Sequence, residues 1–220
     1  MLPEEELKKS VLDHLFWDDR VDASRIDVEV SGGRVRLSGT VPSVSVSRAA
    51  EQDVWHVARV SDVENTLKVI KPAGPRTPSD SQLKKRVTDA LKSSSSIETT
   101  HVEVEVIEGV VTVGGSVPAY SQKLYIDDLL AQLRGVSQVV NVVSVVPTGS
   151  IPDRALALRI TDILGSDGSV PIESVDVTVE NGVVVLSGSV FSRAVKTCIE
   201  EKVVHLLGVR GIHNQIVVEP

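Results

Sequence analysis

The sequence predicts an α+β protein built from three tandem two-layer units, each a three-stranded mixed sheet with two helices on one face. Three observations carry that prediction. Three short strings recur, Leu37-Ser38-Gly39-Thr40-Val41, Val113-Gly114-Gly115-Ser116-Val117 and Leu186-Ser187-Gly188-Ser189-Val190, and the spacings between their glycines align much more of the chain without a gap. Helical and strand periodicities alternate in the same order inside every copy. Proline-rich connectors separate the copies, which places the units at residues 1–72, 77–147 and 152–220.

Each unit reads as helix, hairpin, helix, strand. Leu7, Val11 and Leu15 mark one face of a first helix and align with Leu83, Val87, Leu91 and with Leu156, Ile160, Leu164. Ile26-Asp27-Val28-Glu29-Val30 then alternates strictly, as a half-buried strand does; Val102, Val104, Val106 and Val175, Val177, Val179 repeat its apolar positions. Gly32-Gly33, Glu108-Gly109 and Asn181-Gly182 follow at equivalent places, where a two-residue hairpin needs positive φ. The second strand is expected to end at Gly39, Gly115 or Gly188, with Thr40, Ser116 and Ser189 leading into the next helix. Helical period returns over 43–58, 119–134 and 192–207. A short turn (Ser61-Asp62, Ser137-Gln138, Gly211) precedes a final strand, Val63–Ile70 in the first copy. The connectors at 71–78 and 147–152 are read as short and fairly stiff, because proline pre-bends the chain.

Composition narrows the function. The 220 residues are 41% hydrophobic with mean hydropathy +0.10, enough for packed cores, and 3% aromatic, so the cores are aliphatic. The net charge of −7 and a pI near 5.3 give no basic face to follow a phosphate backbone, so nucleic acid is not expected as a partner. One cysteine, Cys198, excludes an internal disulfide framework and a multi-cysteine zinc site. It is expected as a small buried group on the second helix of the third unit. No apolar run approaches the roughly 18 residues of a membrane span. The N-terminus is acidic where a leader would be basic and then apolar, which predicts a cytoplasmic protein as written, or a periplasmic one if the N-terminus has been trimmed.

In the first unit the stretches Asp18–Val30, Gly33–Val41 and Val60-Ser61-Asp62-Val63-Glu64-Asn65 resemble the BON domain (bacterial OsmY and nodulation domain); the resemblance recurs once per unit over nearly the whole chain, which is similar to triple-BON, OsmY-like proteins. The resemblance implies the α-β-β-α-β fold. It also implies a non-enzymatic bacterial role of the osmotic or envelope stress type, exerted on phospholipid surfaces, ligands or partners. No catalytic motif comes with it, and the recurrent glycines are its hallmark. The second and third copies lack the Asp-Arg-Val-Asp run of the first.

Those glycines, Gly33, Gly39, Gly109, Gly115, Gly182 and Gly188, are read as structural: turns, and places where backbone approaches backbone. The five histidines, His14, His56, His101, His205 and His213, form no i, i+4 pair and share no repeat position, so no metal and no cofactor are expected. The repeat hydroxyls lack a neighbouring base, which argues against a serine nucleophile and against an enzyme.

Two surfaces remain. Phe16-Trp17, with Arg20 and Arg25, is either the cap of a small core or a contact for a protein or a lipid headgroup layer. Trp55, on the second helix, is expected in the core or packed between units. The outer sheet face of the first unit reads Asp27 and Glu29 beside Arg34 and Arg36, then Thr66 and Lys68, charges suited to water. The equivalent positions are Val110 and Thr112 flanked by Val142 and Val146 in the second unit, and Val183, Val185 and Val217 in the third. Such aliphatic patches are expected to be covered, by each other, by a partner or by a second copy in a homo-oligomer, unless valine there reflects strand propensity alone. The resulting expectation is an interaction protein contacting a protein or phospholipid surface through its repeats; the alternative is a small-ligand or ion sensor using clefts between units.

Overall fold

A computed structural model of the chain describes residues 3–70, 78–166, 168 and 170–219. The first repeat runs α1 (Pro3–Trp17), a 3-10 turn (Ala23–Arg25), β1 (Ile26–Ser31), β2 (Arg34–Val41), α2 (Val44–His56), β3 (Asp62–Asn65) and β4 (Lys68–Val69). The second runs α3 (Asp80–Ser93), β5 (Val102–Ile107), β6 (Val110–Val117), α4 (Tyr120–Ala131), β7 (Gln138–Asn141) and β8 (Ser144–Val145). The third runs α5 (Asp153–Gly165), a 3-10 turn (Ile172–Ser174), β9 (Val175–Glu180), β10 (Val183–Val190), α6 (Arg193–Val204), β11 (Gly211–Asn214) and β12 (Val217–Val218). The expected α+β order is therefore present three times. The connector at 71–77 lies outside the described residues.

In every sheet the long strand is central. β2 pairs antiparallel with β1 and parallel with β3, with Glu29 and Glu64 both opposite Arg36. β10 does the same between β9 and β11, and β6 holds the centre between β5 and β7. The inner face of β2 buries Val35 and Leu37 against Leu7, Val11 and Leu15 of α1 and Ala50 and Val54 of α2. Val184 and Leu186 meet Leu156, Ile160 and Leu164 of α5 and Ile199 and Val203 of α6 in the same way. Burying each such side chain stabilises the repeat by about 1.5–3 kcal/mol, and cores this small depend on every one. Two compact units emerge: one holds the first repeat with part of the second, the other the remainder of the second with the third.

Several details differ from the sequence reading. The second strand does not end at the repeated glycine; it continues to Val41, Val117 or Val190. Gly39 sits inside β2 at φ +116°, where a Cβ would run into the carbonyl oxygen of Arg25. Gly115 and Gly188 make the same close approach to His101 and Ser174. Thr40, Ser116 and Ser189 are consequently strand residues. The helix-capping hydroxyls are Ser43, which accepts from the Val46 amide, and Ser192, which accepts from Val195. Residues read as the turn before the last strand, Asp62, Gln138 and Gly211, already open that strand.

The last strand is broken in two, and an asparagine breaks it. Asn65 Oδ1 accepts the Leu67 amide (3.1 Å) while its Nδ2 donates to the Ser47 carbonyl (3.1 Å) and to Glu51 (3.0 Å) on α2. Asn141 bonds Val143, Lys123 and Asp127 in the same pattern, and Asn214 bonds Ile216 and Glu200. This side-chain turn diverts the strand so that the residue two further on points into the core, where Val143 and Ile216 are buried.

Candidate contact surfaces

The hairpin turns are locked by a device that the sequence reading missed. Glu108 (φ +50°) with Gly109, and Asn181 (φ +51°) with Gly182, form turns with two consecutive positive φ values. Their amides point at a carboxylate from the first turn of the preceding helix. Asp80 accepts from the Glu108 and Gly109 amides (2.7 and 2.9 Å), and Asp153 from Asn181 and Gly182 (2.7 and 2.9 Å). Glu4 makes one such bond, to Gly32 (2.9 Å). The signal was present in the sequence as an acid 28 or 29 residues before each turn. Gly109 and Gly182 thus combine a positive φ with an amide bonded to a carboxylate of the preceding helix.

Phe16 and Trp17 do not cap the core. Leu7, Val11 and Leu15 fill the inward face of α1, so the residues that follow Leu15 at the helix end turn outward. Phe16 is 72% and Trp17 80% exposed, and the rings stack edge to face with centroids 5.8 Å apart. The chain then turns at Asp18. Arg20 grips this carboxylate through Nε (3.0 and 2.9 Å) and Nη2 (2.6 Å), and the Arg20 amide donates to it as well (2.8 Å). Those bonds hold the Asp18 carboxyl down at about pKa 2. Arg20 is therefore paired, and Arg25, exposed in the 3-10 turn, is the other candidate cation at this corner. Across from Asp18, on α2, burial and the Asp18 charge push Asp53 up to about 6. Trp55 is half-buried on α2, and Cys198 is half-buried on α6 rather than fully enclosed.

The outer sheet faces differ in chemistry from repeat to repeat. In the first repeat Arg34 pairs with Asp62 (2.9 Å) and Arg36 with Glu64 (3.4 Å). Register brings these acids, and not Thr66 and Lys68, beside the arginines; the Thr66 hydroxyl donates to the Leu37 carbonyl instead (2.7 Å). In the second repeat Val142 and Val146 are exposed, with Val110 and Thr112 half-buried. In the third, Val217 is exposed and Val183 and Val185 half-buried, Val185 lying between Thr178 and His213.

Among the described residues no three histidine, cysteine or acidic side chains cluster as metal ligands, and no helix is long and apolar enough to cross a membrane. A shallow groove of about 260 Å³ lies where the third repeat begins, lined in part by Ile151, Asp153, Asn181 and Arg210, but the Asp153 carboxylate already serves the hairpin amides.

Comparison with known proteins matches the BON domain at residues 3–71, 79–147 and 152–220. The chain is 27% identical over 122 residues to an "Uncharacterized protein in gshII 5'region" of Anaplasma centrale, covering 54% of this chain and 81% of that protein. Two solved structures of CdsD, a structural protein of the type III secretion system of Chlamydia trachomatis, align over 98% of this chain and 98% and 93% of theirs, at 16% and 14% identity. Both have a TM-score of 0.28, too low to support any inference.

Proposed function

This chain belongs to the BON-domain family, matched three times along its length, and from that premise we propose that it is a non-catalytic binding protein of the bacterial stress type, contacting a protein or phospholipid surface through its first repeat. The observation that carries this reading is the exposed Phe16–Trp17 pair. The equivalent positions in the other repeats hold Lys92 and Ser93, then Gly165 and Ser166, so the shared fold does not require aromatic rings there. Two large rings left in water at a helix end supply the kind of anchor that dominates contact energies. The Asp18–Arg20 ion pair removes one of two cations from the corner, which supports a protein surface over an anionic lipid one.

Co-sedimentation with vesicles, with and without anionic lipid and at low and high salt, tests the lipid form; cross-linking capture tests the protein form. A Phe16→Ser/Trp17→Ser chain is expected to lose its contact while keeping its melting temperature. Equal binding by the variant and the parent in both assays would end the proposal.

A further inference from the structure

Asp53 of α2 carries the one side-chain oxygen among the described residues that is buried without a hydrogen-bond partner, its Oδ2. It faces the turn after α1, within hydrogen-bonding reach of Asp18. Two carboxylates cannot bond to each other, because neither has a donor; one must carry a proton. Asp18 is the poor candidate, since it accepts the Arg20 amide and guanidinium. Asp53 is the good one, because its buried Oδ2 receives no donor and it faces the Asp18 charge. The basic side chains that face Asp53 are Arg20, committed to Asp18, and His56, exposed at the end of the same helix. Neither neutralises it. The pair is also peculiar to the first repeat: the positions of Asp18 and Asp53 hold Ser94 and Leu129 in the second, and Asp167 and Lys202 in the third. An acid at position 53 is therefore no requirement of the fold.

We propose that Asp53 and Asp18 form a proton-operated latch: protonated Asp53 donates to Asp18 and ties the turn that follows the Phe16–Trp17 pair to α2, and deprotonation releases it. Within itself the turn is held by the Val21 amide bonding the Asp18 carbonyl (2.9 Å), by the Arg20 bonds to the Asp18 carboxylate and by the buried Val21 side chain; the Asp53 bond ties it to α2. The consequence for a partner, firmer presentation of the two rings in acid, rests on the reading of that pair as the contact surface; the latch itself is tested without a partner.

The test uses the full chain. Carbon-13 titration of the aspartate side chains is expected to give Asp53 a midpoint near pH 6, and a midpoint in the ordinary carboxylate range would overturn the latch. Hydrogen-exchange protection at the amides of residues 18–22, corrected for intrinsic rate, is expected to fall by about tenfold between pH 5 and pH 8. In Asp53→Asn, whose amide donates at every pH, that fall should vanish and the turn should stay protected. A fall that persists in Asp53→Asn, or none in the parent chain, overturns the proposal. If Asp53→Asn does not fold, the titration of the parent chain decides alone. A parent chain that binds neither vesicles nor protein, yet keeps the pH response, would sink the proposed function and leave the latch standing.

Discussion

The central strands of the first and third repeats share one backbone and one inner face, and differ on the outer one. Val35 and Leu37 of β2 and Val184 and Leu186 of β10 are all fully buried, each pair against the same places on two helices. Outward, Arg36 lies between Glu29 and Glu64, whereas Val185, at the equivalent register, lies between Thr178 and His213. Close packing constrains the inner face, because a lost methylene there leaves a void. The outer face answers only to water or to a partner. Divergence among the repeats has collected there and at the end of the first helix, which is where a binding role would be written.

The comparison breaks if the shared frame is not equally required in both repeats. Gly39→Ala and Gly188→Ala place a Cβ against a carbonyl oxygen at a φ near +117° and should each cost about 3 kcal/mol or more. Gly32→Ala, with open space around it at φ +58°, should cost about 1 kcal/mol. Chemical denaturation followed by circular dichroism reads both; equal costs at Gly32 and Gly39 would mean the close approach is not what selects glycine. The hairpin clasp gives the next effect. Asp153→Ala removes two charge-assisted bonds and should cost about 2 kcal/mol, while Glu4→Ala removes one exposed bond and should cost less than about 1 kcal/mol.

Acid and base sharpen the contrast further. Asp18, held at about 2, contributes stability above its unfolded value of 3.8 that is lost as pH falls toward 2; Asp53, raised to about 6, contributes stability at low pH that is lost as pH rises from about 4 through 6. Amide protection at the end of α1 should therefore peak between those limits, and at the end of α5, where a lysine takes the place of Asp53, it should show no such peak. The smallest effect belongs to the outer faces. Arg36→Val removes an exposed ion pair and should shift stability by no more than about 0.5 kcal/mol. Val185→Arg should change stability as little, and in analytical ultracentrifugation should reduce any self-association carried by the third sheet face; unchanged association would leave valine there as a matter of strand propensity.

Much of the fold was legible because the repeat supplied three independent readings of each element. The apolar positions Leu7, Val11 and Leu15 and the alternation from Ile26 to Val30 encode burial through their spacing; the helix positions, Ile26 and Val28 are buried and Val30 packs half-buried against them. The hairpin at Asn181-Gly182 was legible because few residues tolerate positive φ. The broken last strand was not, because nothing in the local pattern says that Asn65 will bond to α2. The asparagine clasp and the carboxylate clasp join residues 14 to 29 positions apart, beyond the reach of periodicity. At the candidate site the aromatic pair was legible as unusual, but its exposure was not: whether Phe16 turns inward depends on whether Leu15 already fills that space.

The sequence by itself determined the number of repeats and the order of elements in each, since these follow from spacing and from backbone preferences that act over a few residues. Tertiary structure alone decided that the repeated glycine lies within the strand, that the arginines of β2 face Asp62 and Glu64, that Arg20 is consumed by Asp18, and that Asp53 Oδ2 is buried beside the Asp18 carboxylate with no donor of its own. Those outcomes depend on which distant groups arrive at the same place, and the strength of a charge or a hydrogen bond is set by that neighbourhood.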